Sequence, residues 1–182
     1  MILKGNLLVA DPKMFQDYNF RRSVIVLVDH NSDGTVGFVL NKQHEFSSQD
    51  ILPEINCNLP IYRGGPVDTE SLYFIHNQPK KIPNSLKIKD NLFWGGDFSV
   101  VIKLINSKLI DSHQIKFFLG YSGWAYQQLD CELDESSWVL INKKLETNDI
   151  FTNSENIWRD KISELGGKYL MWLNAPENPN HN

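Results

Sequence analysis

Hydrophobic positions recur along this chain in two rhythms, and each predicts a different element. Ser23–Val28 is apolar on both of its alternating faces, the pattern of a strand covered on both sides of a sheet. Asn6–Ala10 predicts a shorter strand ahead of it. After Val28, the turn residues His30-Asn-Ser-Asp-Gly34 precede a second β-rich run, Thr35–Asn41, so the two runs are expected to pair as a hairpin. Further strands are predicted over Leu72–His76, Leu86–Trp94, Ile115–Tyr121 and Ser137–Ile141. Helical spacing appears in the stripe Val100, Val101, Leu104, Ile105 and Leu109, with Asp97 or Ser99 as its cap. It returns in Trp158, Ile162 and Leu165, capped by Ser154 and stopped by Gly166-Gly167. Ser47–Leu52 predicts a turn or two of helix halted by Pro53, and Leu129 and Leu133 stand one helical turn apart. No repeat or linker divides the chain. The expectation is a single α+β domain over residues 1–173 with a loose tail over 174–182.

The hairpin carries a register. With Asn31–Gly34 as the loop, His30 faces Thr35, and counting back sets Val24 opposite Asn41 and Arg22 opposite Gln43. Strand rise then separates the two ends by roughly 20 Å. One compact catalytic centre cannot draw on both.

Composition narrows the classes of function. In 182 residues, 41% hydrophobic content and five Trp indicate a folded globule, and a formal charge of −4 gives no global attraction to nucleic acid or anionic membranes. Cys57 and Cys131 lie in neither a redox nor a zinc spacing, which reads as two reduced thiols in a cytoplasmic protein. The N-terminal apolar stretch is too short and interrupted for a signal peptide, and no later run reaches a membrane span.

Candidate chemistry is sparse. The five histidines have no metal-site spacing, although His30 or His76 with Asp29 or Asp97 is the seat a metal-assisted hydrolase would use. Gly64-Gly65-Pro66 and Gly95-Gly96-Asp97 read as turns, with an anion-holding backbone nest as the alternative; neither is a phosphate-loop or dinucleotide motif. Ser122, in Gly120-Tyr-Ser-Gly-Trp124, sits where a hydrolase nucleophile would, but lacks the second glycine of that elbow.

Taken in order, Gly5–Pro12, Asp17–Val24, His30–Gly34, Gly37–Lys42, Gly64–Val67, Phe74–His76 and Leu119–Trp124 followed by Gln128-Leu129 resemble the YqgE/AlgH family of bacterial proteins nearly end to end. The resemblance implies an α+β fold with a mixed, mostly antiparallel bulged sheet or partly open barrel and flanking helices. It also implies a role labelled transcriptional regulation. Its motif residues here are Arg22, His30, Asn41, Gly64, Gly65, Pro66, His76 and Gln128. Two positions depart from the family: Gln127 stands where glycine is usual, and Ser122 where alanine is common, which lowers the hydrolase reading further because alanine is no nucleophile.

The resulting expectation is a non-enzymatic, cytoplasmic regulatory or binding protein with no cofactor, acting indirectly through a protein or a small anionic ligand and not by reading DNA. The expected binding place is a common sheet edge where Trp94-Gly95-Gly96-Asp97 and Tyr121-Ser122-Gly123-Trp124 turn into helices; the alternative is that both indoles seal the core.

Overall fold

A computed structural model describes residues 1–142, 150–152 and 156–173. Ten strands form one sheet, and the order of its main path follows from pairing: β10 (Trp138–Ile141), β1 (Leu7–Ala10), β2 (Val24–Asn31), β3 (Gly34–Val39), β9 (Ile115–Trp124), β6 (Val67–His76), β8 (Leu92–Trp94) and β7 (Leu86–Lys89). Off this path, β4 (Gln43–Ser47) pairs antiparallel with β5 (Pro60–Arg63), which runs parallel to the middle of β9. The sheet is mixed, mostly antiparallel and not closed, as the α+β expectation requires. Its helices are α1 (Ser48–Ile51), α2 (Phe98–Asn106), α3 (Gln128–Asp134) and α4 (Ile157–Leu165), with 3₁₀ turns over Pro12–Gln16 and Gly167–Trp172. Among the described residues no helix is long and apolar enough to cross a membrane.

The two-faced burial read from β2 is present. Val24, Val26 and Val28 enter one core with Phe38, Phe118 and Trp158 of α4, while Ile25 and Leu27 enter another with Trp124, Leu129 and Trp138. A third core gathers Phe74, Phe117 and the Val101 and Ile105 stripe of α2. Strand β9 contributes to all three, which makes it the spine of the molecule. Asp97 caps α2, accepting from the Ser99 and Val100 N–H groups; Leu109 lies beyond the helix and is exposed. The proposed cap Ser154 and the tail over 174–182 lie outside the described residues.

Three local expectations need correction. The hairpin starts as counted, with His30 opposite Thr35, but Val28 is an extra residue on β2. That bulge moves the register by one, so the Val24 carbonyl accepts from Leu40 N–H and Val24 does not face Asn41. Arg22 is not in the ladder at all: its φ of 54° takes it out of extended geometry. Leu86–Trp94 is two strands, because Asp90 turns at φ 48°. Finally, β4 has mixed polarity (Gln-His-Glu-Phe-Ser) and shows no clean apolar rhythm, so its pairing with β5 was invisible in the pattern.

Candidate binding clefts at the two ends of the hairpin

The anticipated common edge of Trp94 and Trp124 does not form. Trp94 pairs with Ile75, whose other neighbour is Lys116 at the start of β9; Trp124 ends that same strand eight residues on, about 26 Å away along extended chain. The two indoles also serve different cores. Trp94 packs with Phe38, Tyr73 and Tyr121, whereas Trp124, 5% exposed, packs with Phe20 and Trp138. Trp124 and Trp138 both donate their indole N–H to Glu132 Oε2 of α3, at 2.8 and 2.7 Å. Trp124 thus seals a core and holds α3, as the alternative had it.

The residues weighed for catalysis are engaged structurally. Ser122 is fully buried and its Oγ donates to the Gly64 carbonyl at 3.0 Å. His76 is fully buried; its Nδ1 accepts from Gln78 N–H, so its Nε2 carries the proton toward the Gly95 carbonyl at 3.1 Å. Burial holds its pKa below the usual imidazole range, against the opposing pull of that bond. His30 Nδ1 shares a 2.8 Å hydrogen bond with Thr35 Oγ1, and Asp29 pairs with Lys4. No group of three or more His, Cys, Asp or Glu side chains is placed to hold a metal ion among the described residues. This arrangement does not support the hydrolase alternative.

Apart from His76, buried on β6, the motif residues gather at the two ends of the hairpin. At the turn end, His30, Thr35, Gln127, Asp130, Cys131 and Asp134 line an open hollow of about 570 Å³. Gln127, where the family favours glycine, takes φ 62° as it enters α3. Gln128 ties that entry down: its Oε1 accepts from Ala125 N–H and its Nε2 donates to Glu132. Both cysteines are free thiols.

At the other end three backbones meet. Gly64 N–H donates to the Leu119 carbonyl of β9, and the Gly64 carbonyl accepts from Val39 N–H of β3. A Cβ on Gly64 would lie 2.1 Å from the Gly120 carbonyl oxygen, so the glycine pair serves this close approach and not an open turn. Asn41 completes the junction by accepting from Val24 N–H at 2.9 Å and donating to the Arg22 carbonyl at 2.8 Å, bonds the ladder leaves unmade. Over it lies a cleft of about 240 Å³ lined by Lys42, His44 and Arg63, with Tyr18, Val39, Pro66 and Leu119 among the other walls.

No carboxylate lines this cleft. Lys42 Nζ donates to the carbonyls of Tyr18 and Asn19, and Arg63 belongs to no ion pair among the described residues. Burial, then the charges of Arg21 and Arg63, hold Lys42 down to about 8, while Asp17 pulls the other way. Burial and Arg63 likewise lower His44. The Asp17 carboxylate is already accepting from the Asn19 and Phe20 N–H groups. Of this cleft, sequence reading singled out Gly65 and Pro66 but missed His44 and Arg63. They meet through the β4–β5 pairing, with Arg63 N–H donating to the Lys42 carbonyl at 2.7 Å, which the polar pattern of β4 gave no sign of.

Comparison with known proteins places the chain and its fold. A family model described as AlgH-like matches residues 7–170. A UPF0301 protein of Cytophaga hutchinsonii is 37% identical with both chains fully covered, and one of Bacteroides thetaiotaomicron is 35% identical over 98% of this chain and 91% of its own. The solution structure of the AlgH protein from Pseudomonas aeruginosa superposes with a TM-score of 0.72 at 27% identity, covering 95% of this chain and 93% of that one. A crystal structure of a Corynebacterium diphtheriae protein shares the fold, with a TM-score of 0.78 at 20% identity over 96% and 93% of the two chains. With a family match spanning almost the whole sheet and relatives aligned end to end, the chain belongs to the AlgH-like family.

Proposed function

We propose that this protein is a non-enzymatic, cytoplasmic binding protein with a regulatory role, and that it takes a small anion in the Lys42–His44–Arg63 cleft. The observation that carries the reading is the convergence of two cationic side chains, Lys42 and Arg63, with the His44 imidazole beside them, on one concave site that no carboxylate lines. Burial first, then the neighbouring charges of Arg21 and Arg63, make the Lys42 ammonium costly, and its lowered pKa registers that cost. A bound anion relieves it and restores the full ammonium charge. Any effect on transcription then passes through this ligand or a protein partner. A direct DNA reader needs a basic recognition surface, whereas α2 and α4 carry few or mixed charges and the chain is net −4.

Calorimetric titration with pyrophosphate in low salt tests the reading. Binding is expected, weakening at least tenfold in Arg63→Gln, whose exposed side chain leaves the fold intact by circular dichroism. Equal binding by the variant, or sequence-specific duplex binding at physiological salt, overturns it.

A further inference from the structure

We infer that the ligand of the Lys42–His44–Arg63 cleft is an organic anion, a phosphate or carboxylate head joined to a small apolar body, and not a free inorganic ion. This rests on the reading of the cleft as an anion site. The cations occupy one part of the wall and leave another to the exposed Pro66 and half-buried Leu119, whose side chains offer an oxyanion nothing. Size points the same way. The cleft's 240 Å³ is room for about eight waters at roughly 30 Å³ each, about twice what the four oxygens of a phosphate would fill. A bare ion seated at Lys42 and Arg63 would therefore leave apolar wall facing water.

The polar groups also give an orientation. Two of the three Lys42 donors are committed to the Tyr18 and Asn19 carbonyls, which anchors the ammonium and leaves one donor for a ligand. The Arg63 guanidinium supplies a planar fork suited to two oxygens of one head group. A head held between these two cations directs the rest of the molecule toward Pro66 and Leu119, the latter fixed by the Gly64 junction. Covering that wall with a ring-sized body is worth an order of magnitude or more in affinity.

The experiment titrates the full chain with phenyl phosphate, inorganic phosphate and phenol, and follows the methyl resonances of Leu119. Phenyl phosphate is expected to bind at least tenfold more tightly than inorganic phosphate, and it alone should shift those methyls strongly. Phenol should bind far more weakly than either. Inorganic phosphate binding as tightly as phenyl phosphate, or phenyl phosphate leaving the methyls unmoved, overturns the inference while the anion reading stands. If neither phosphate binds, or phenol matches phenyl phosphate, the anion reading falls and takes this inference with it.

Discussion

The two ends of the β2–β3 hairpin solve opposite problems. At the Asn41 end three backbones close around Gly64, and a small cationic cleft lies over the junction. At the His30 end the chain leaves a hollow more than twice as large, lined by two aspartates and a histidine, and places a glutamine in left-handed geometry. Both ends hold residues of the family motif, yet one needs the absence of a side chain and the other tolerates an unfavourable one. Motif membership therefore marks places where the backbone is unusual, and the chemistry of each place has to be read from its walls.

Gly64→Ala sharpens the contrast most. The new Cβ would meet the Gly120 carbonyl oxygen at 2.1 Å, so β5 and β9 must separate. A loss of about 3 kcal/mol or more is expected in urea unfolding, and a loss under 1 kcal/mol would mean the junction is not close-packed. Asn41→Ala should cost about 2 kcal/mol, since it strips the Val24 N–H and Arg22 carbonyl of the partner that the bulged ladder does not replace. Thermal melts of this variant and of Asn41→Asp, which keeps the acceptor for Val24 but loses the donor to Arg22, separate the two bonds.

The cationic side also has a pH signature. Lys116, almost fully buried with its Nζ 3.8 Å from the centre of the Tyr62 ring, is held down to about 7 by burial, and Lys42 to about 8. In the unfolded chain both lysines keep their protons to pH 10 or so, so from about pH 7 upward the unfolded state binds more protons and stability rises. Lys116 alone should contribute on the order of 2 kcal/mol between pH 7 and 9.5. Above pH 10 the slope reverses, because Tyr62 and Tyr73, both pushed up to about 12, keep protons that unfolded tyrosines lose. Urea unfolding across this range checks the rise, which Lys116→Met should cut by about half, leaving the part due to Lys42.

The smallest effect lies at the other end and has the opposite sign. Gln127→Gly should stabilise by about 1 kcal/mol, because a non-glycine residue at φ 62° carries a left-handed penalty that glycine lacks, less glycine's greater unfolded entropy. Destabilisation by this variant would show that the glutamine side chain earns its place in the hollow.

How much of this was legible depends on the range of the interaction. The burial of β2 on both faces, the His30–Thr35 pairing, the Asp97 cap and the end of α4 at Gly166 all follow from neighbours within a few residues. The left-handed entry to α3 was not legible: glutamine at 127 argued against φ > 0, yet the backbone there keeps φ 62°. The Val28 bulge was not either, because an extra residue leaves the apolar character of the run unchanged. The shared tryptophan edge failed for a related reason: two turns of similar composition say nothing about which end of a sheet each occupies.

By itself, then, the chain of residues determined the α+β class, the central hairpin, the glycine-dependent places and the family. Only the tertiary structure decided what those places are for. Parallel pairing of β5 with β9 turned Gly64 into a junction, and pairing of the polar strand β4 with β5 brought Lys42, His44 and Arg63 around one cleft. Local periodicity records which face of an element is buried; which elements meet is settled by contacts across tens of residues, and those leave no period to read.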